Sequence, residues 1–169
     1  MAGTREGAVM CGSGKPIELA RFADSLDRAA DEVFTTMVGA GCAPVDAGGP
    51  GEAETISAVI GLAGAISGSM VLQSSGAAAR RIAERMTGIA PTEVDALVRD
   101  AMGEVCNMVA GAWKGFDPLL ACGCLLSTPT VVAGTSYELF SQGAPIRIER
   151  RYRFEDLTFV ITLSCEFPD

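Results

Sequence analysis

The residues best placed to do chemistry lie in one run, Asp100-Ala-Met-Gly103-Glu104-Val-Cys-Asn107-Met-Val-Ala-Gly111. A helix turns about 100° per residue, so Asp100, Glu104, Asn107 and Gly111 form an i, i+4, i+7, i+11 row within roughly 60° of one another. Two carboxylates and an amide therefore project together, beside glycines at 103 and 111 that leave the backbone open to close approach. Local stability does not favour this arrangement. Like charges at i, i+4 cost an isolated helix a few tenths of a kcal/mol, and Asn is a mediocre mid-helix residue. Spacing alone leaves two readings open: a functional row, or a solvated helix face that carries such residues by chance.

The chain has no histidine, which removes Ser-His-Asp and Cys-His triads, His-ligated zinc and histidine acid–base catalysis. Any reaction must use carboxylates, amides, hydroxyls, thiols, Lys, Arg or groups supplied by a partner. Six cysteines are scattered through 169 residues (Cys11, Cys42, Cys106, Cys122, Cys124, Cys165). A chain of this length does not need stapling, and Cys122-x-Cys124 has no second pair at zinc-site spacing. They read as buried thiols acting as small core hydrophobes, with no metal bound. Net charge is −8, which argues against nucleic-acid phosphates and a basic membrane-surface helix as partners. No apolar run is long enough to span a bilayer and the N-terminal residues lack a signal-peptide apolar core, so the expected compartment is the cytoplasm. Gly12-Ser13-Gly14-Lys15 lacks the full spacing of a phosphate loop and a preceding strand.

The elements that must position the row follow from periodicity. Residues 1–16 read as a flexible lead-in and 17–169 as a single domain. Apolar residues at helical spacing (Leu19, Phe22, Leu26, Ala29, Ala30, Val33, Phe34, Met37) predict a helix over Ile17–Val38, stopped by Gly39 and Gly41. Ile56–Gln73 is β-branched and glycine-punctuated, which predicts two strands joined near Ala63-Gly64. A short helix is expected over Ala77–Met86. A long one is expected over Thr92–Lys114, with Thr92 and Asp95 at capping-box spacing. Its apolar stripe (Val94, Leu97, Val98, Ala101, Met102, Val105, Met108, Val109, Ala112) should pack on a sheet. Leu119–Phe167 reads mostly as strand. Helices bracketing hairpins imply an α+β fold: two layers, an antiparallel sheet packed against two long helices.

Asp100-x3-Glu104-x2-Asn107 resembles the D/S-x3-E-x2-N signature of the CheX/CheC/FliY phosphatases. Gly111 and Lys114 follow as they do in that family. Ser127-x-Pro129-Thr130-Val131-Val132-x-Gly134 is similar to one of its strands, and Ile60-Gly61-Leu62-x-Gly64-x-Ile66-x-Gly68 to its hairpin. The likeness spans about Ile56–Gly134, and a single copy of the motif points to CheX rather than CheC. The resemblance implies a phosphatase that stimulates hydrolysis of the aspartyl-phosphate on a CheY-type receiver domain. Asn107 would position the attacking water, since an amide both donates and accepts, and Glu104 would contact the receiver's lysine. Asp100, Gly103 and Gly111 would belong to the docking face. It implies no cofactor of the chain's own, only the Mg²⁺ held by the phosphorylated receiver, and a homodimer formed through sheet edges. A non-catalytic receiver-binding module, or a scaffold part of a signalling or flagellar assembly, is the alternative.

Three further features have plainer readings. Asp27-x3-Asp31-x2-Phe34 repeats the motif's spacing with Phe in place of Asn, and reads as a degenerate counterpart without activity or, equally well, as plain helix patterning. Arg147, Arg150, Arg151 and Arg153 around Glu149 read as a solvated, charge-protected sheet edge, with a basic contact for an acidic receiver as the alternative. Trp113 reads as a packing residue.

Overall fold

The computed structural model describes residues 14–46, 54–139 and 144–168. Helix α1 spans Gly14–Val33 and continues as a π-helical turn, Phe34–Val38, closed by Gly39 at φ 72°. The expected helix thus changes its winding in its last turn. It also begins inside the predicted lead-in, whose first 13 residues, Cys11 among them, lie outside the described part. Strand β1 (Ala43–Pro44) follows, then the hairpin of β2 (Thr55–Gly64) and β3 (Ser67–Ser75). The hairpin turns at 65–66, slightly later than predicted. Gly64 at φ 99° brings the chain against the Gly123 carbonyl, where a Cβ would stand 2.1 Å from that oxygen, a position only glycine tolerates.

Helix α2 (Gly76–Thr87) is capped by Ser75, whose Oγ accepts the Ala78 N–H, and ends at Gly88 in the left-handed region. Helix α3 (Ala96–Gly115) carries the motif row. Its cap is Asp95, which accepts the Val98 N–H at 3.0 Å, so the helix starts later than the predicted Thr92. Next comes α4 (Pro118–Gly123), where strand was expected. Asp117 accepts two N–H groups of its first turn and Pro118 sits at N1, a helix-start signal that the apolar Leu119-Leu120 pair obscures. Strands β4 (Cys124–Leu126), β5 (Thr130–Gly134), β6 (Ile146–Phe154) and β7 (Leu157–Glu166) complete the chain.

The strands form one sheet in the order β1-β6-β7-β3-β2-β4, with β5 also on β2, and every pairing is antiparallel. The α+β, two-layer architecture is therefore as expected. Alternate residues (Ile56, Ala58, Ile60, Leu62; Met70, Leu72; Ile161, Leu163) face the helices and are buried, as strand periodicity requires. Trp113 is packed edge-on against Phe22 at 5.3 Å, which joins α3 to α1 inside the core. Arg150 turns to the helix side and pairs with Asp27. Arg147, Glu149 and Arg151 line a groove of about 510 Å³ on the opposite, open face.

The arrangement of β4 and β5 matters most for the site. Both pair with β2, β4 opposite Leu62–Gly64 and β5 opposite Thr55–Val59. They lie end to end along one edge, and the connection 127–129 bridges them beside α3.

Candidate active site

Helix α3 sits over β2, where the Cys106 thiol donates to the Ala58 carbonyl at 3.5 Å. Val98, Met102, Val105, Cys106 and Val109 are fully buried beneath it. That anchoring turns the motif row outward. Asp100 and Glu104 are exposed, and Asn107 and Gly111 half-buried. The side chains of Asp100, Glu104 and Asn107 have no hydrogen bond or ion pair to any described residue. Two carboxylates and an amide are thus held on a fixed helix without a protein partner among the described residues. At the C-terminal end of α3, Lys114 Nζ donates to the Cys124 carbonyl at 2.7 Å, tying the helix to β4.

Gly103 differs from the rest of the predicted set. It is buried, and a Cβ there would lie 3.3 Å from Pro129 Cγ and 3.4 Å from Val131 Cγ2. Its lack of a side chain admits β5 and the residue before it. At Gly111, by contrast, a Cβ would meet nothing within 4 Å, so that stretch of helix stays open to an approaching surface. The structure thus brings Asp100, Glu104, Asn107 and Gly111 to one face and places Gly103 beneath it.

The second row, on α1, is engaged internally. Asp27 accepts the Tyr152 O–H at 2.8 Å and pairs with Arg150 at 3.3 Å. Burial, reinforced by the Asp27 carboxylate, holds the Tyr152 phenol well above its usual value, so it remains a donor. Asp31 accepts the Cys42 N–H at 3.1 Å. Phe34, at the position of the missing amide, stacks on Phe159 with centroids 4.4 Å apart. Among the described residues, no three His, Cys, Asp or Glu side chains gather as metal ligands do. Cys122 is exposed while Cys42, Cys106, Cys124 and Cys165 are buried. No described helix is long and apolar enough to cross a membrane.

Sequence reasoning missed Ser127. Its Oγ accepts the Gly61 N–H at 2.8 Å and donates to the Thr128 carbonyl at 2.9 Å. Its own N–H donates to the Gly61 carbonyl at 2.9 Å. The one available signal was its place before Pro129 in a run already resembling a family strand.

Comparison with known proteins identifies the fold and the family. A search of curated proteins returns no match. Among solved structures, the chain is similar to the chemotaxis protein CheX of Vibrio vulnificus, at 25% identity and TM-score 0.75 over 88% of this chain and 98% of that one. It has the fold of CheX from Desulfovibrio desulfuricans, with 21% identity, TM-score 0.71 and coverage of 86% and 99%. It also has the fold of a Borrelia burgdorferi protein solved as a CheX–CheY–BeF3–Mg²⁺ complex, with 16% identity, TM-score 0.67 and coverage of 86% and 97%. The family model described as chemotaxis phosphatase CheX matches residues 56–149, more than half of the chain and all of the motif row. This chain belongs to the CheX family of chemotaxis phosphatases.

Proposed function

We propose that the chain stimulates hydrolysis of the aspartyl-phosphate on a CheY-type receiver domain, with Asn107 positioning the attacking water and Glu104 contacting the receiver's lysine. The observation that carries this reading is the unpartnered Glu104–Asn107 pair on an anchored helix of a CheX-family fold. Phosphoryl transfer to water needs in-line positioning and charge neutralisation more than a covalent group on the catalyst. The amide of Asn107 accepts a hydrogen bond from the water and directs an oxygen lone pair at phosphorus, the water's protons staying with the phosphate formed. The P–O bond to the receiver carboxylate then breaks, releasing inorganic phosphate and the free aspartate. Mg²⁺ held by the receiver neutralises the phosphoryl oxygens, so the chain needs no metal of its own. Glu104 fixes the docking register through a charge-assisted contact, with Asp100 and the open helix surface at Gly111 completing the face.

The Borrelia burgdorferi protein of this fold is seen with CheY, BeF3 and Mg²⁺, which supports a receiver as the partner. Action on a receiver places the chain in the cytoplasm, and a homodimer is part of the same reading. The test is phosphate release from a panel of phosphorylated receivers with Mg²⁺ present. Acceleration with one of them supports the reading. Tight binding without acceleration would assign the chain as a binding module instead.

A further inference from the structure

We infer that the connection 127–129 is a rigid second wall of the docking face, with Thr128 contacting the receiver and Ser127 and Pro129 acting as positioning residues. This rests on the phosphatase reading above and adds to it a surface outside α3.

The inference comes from how two glycines hold the segment. On the sheet side, β4 and β5 leave a gap in the ladder along β2 at Gly61. Ser127 fills it: its N–H donates to the Gly61 carbonyl, and its Oγ takes the place of a backbone acceptor for the Gly61 N–H. A Cβ at residue 61 would stand 3.3 Å from that Oγ, a tight contact that glycine relieves. On the helix side, Pro129 packs against the bare backbone of Gly103. The segment is thus pinned at both ends, and the Ser127 hydroxyl also donates to the carbonyl of the next residue, Thr128.

What stands between the pins is the exposed Thr128, whose hydroxyl has no hydrogen-bond partner among the described residues. Gly103 and Asn107 are i, i+4 neighbours, only about 40° apart around the helix. Pro129 therefore stands against the same side of α3 as the catalytic amide, one turn away. Exposed Glu104 lies farther round, at about 100° from Gly103. A receiver surface that reaches Asn107 on this side of α3 comes next to Pro129, which packs on Gly103 one turn away. Such a wall fixed from both sides sets the approach without losing entropy on binding, as preorganised contacts do.

The experiment measures phosphate release against receiver concentration, with a binding titration against the receiver in its Mg²⁺–beryllofluoride form and a thermal melt for each variant. Thr128→Ala should raise KM and Kd about 5-fold with kcat unchanged, the signature of uniform binding. Ser127→Ala and Gly103→Ala should lower kcat about 10-fold or more, since small misplacements of a site cost up to about 10². Ser127→Thr, which keeps the hydroxyl, should restore kcat. Gly115→Ala, with open space around it, is the control and should change nothing. Activity losses that track the melting temperature alone, or a Thr128→Ala variant with wild-type KM and Kd, would overturn the inference. If the wild-type chain releases no phosphate from any receiver, the phosphatase reading itself has failed. The binding arm then still judges Thr128.

Discussion

Replacing Asp27 separates a structural row from the row proposed to be catalytic, because Asp27 occupies on α1 the place that Asp100 holds on α3. Its carboxylate is only 23% accessible and holds two partners, the Tyr152 hydroxyl and the Arg150 guanidinium. In Asp27→Ala the hydrogen bond to a charged acceptor disappears, worth about 1.5–3 kcal/mol. A fully buried phenol is left without an acceptor, at a cost of about 1–3 kcal/mol that overlaps with the first figure. The Arg150 pair adds little, about 0–1 kcal/mol, because that side chain is partly exposed. However, its Nε is already buried without a partner, so losing Asp27 leaves the guanidinium poorly satisfied. The sum is about 3 kcal/mol of destabilisation. At about 2–4 °C per kcal/mol for a chain of this size, the melting temperature should fall by roughly 6–12 °C. Tyr152→Phe should cost less, about 1–2 kcal/mol, since Asp27 keeps Arg150 and solvent contact. Asp27→Asn, which retains an acceptor, should lie between wild type and Ala. The assay is urea or thermal unfolding, paired with receiver dephosphorylation per folded molecule, which should be unchanged throughout. Lost turnover at an unchanged melting temperature would refute the reasoning and make the α1 row functional.

Two further outcomes follow from the fold. Gly68 sits at φ 150°, and a Cβ there would stand 2.0 Å from the Ser164 carbonyl oxygen across the β3–β7 pairing. Gly68→Ala should therefore destabilise by more than about 4 kcal/mol or prevent folding, measured as loss of soluble protein or of the unfolding transition. Wild-type stability in that variant would show that the strand register is wrong. The thiols should also differ in reactivity at pH 8. Burial, with Asp31 and Asp27 adding to it, pushes the Cys42 thiol up to about 12, and burial does the same to Cys106, so neither forms the reactive thiolate. Peptide mapping after brief iodoacetamide treatment of the native protein should find Cys122 modified while Cys42 and Cys106 are untouched. Rapid labelling of Cys42 would contradict its buried position.

The motif face was readable from sequence because a helix converts spacing directly into direction. Val98, Met102, Val105 and Val109 at helical spacing identify the buried side, and Asp100, Glu104 and Asn107 then have to point elsewhere. The antiparallel hairpin was readable for a similar reason, since β-branched residues punctuated by glycine in Ile56–Gln73 are a local signal. What depended on distant contacts was not legible. Gly103 gave no sign that Pro129, far along the chain, would pack against it, and so it was grouped with the open glycine at 111. Helix α4 was hidden because Leu119-Leu120 is compatible with either period over so short a run. Only the Asp117-Pro118 start signal distinguished it. The cluster of arginines on β6 also divides by pleat. Arg150 points to Asp27 and the others point away, a split that strand assignment alone allows but that needs the sheet to give it meaning.

The most direct test of the account is phosphate release by Asn107→Ala at saturating phosphorylated receiver, with its affinity for the receiver measured alongside. Asn107 is half-buried with an unpartnered side chain, and Ala is the better helix former by a few tenths of a kcal/mol, so the fold should remain intact. Turnover should fall by about 10²–10³, the usual loss for one positioned polar group, while affinity stays within about 3-fold of wild type. Turnover near the wild-type rate at full saturation would contradict the claim that Asn107 positions the water and leave the chain as a receiver-binding protein.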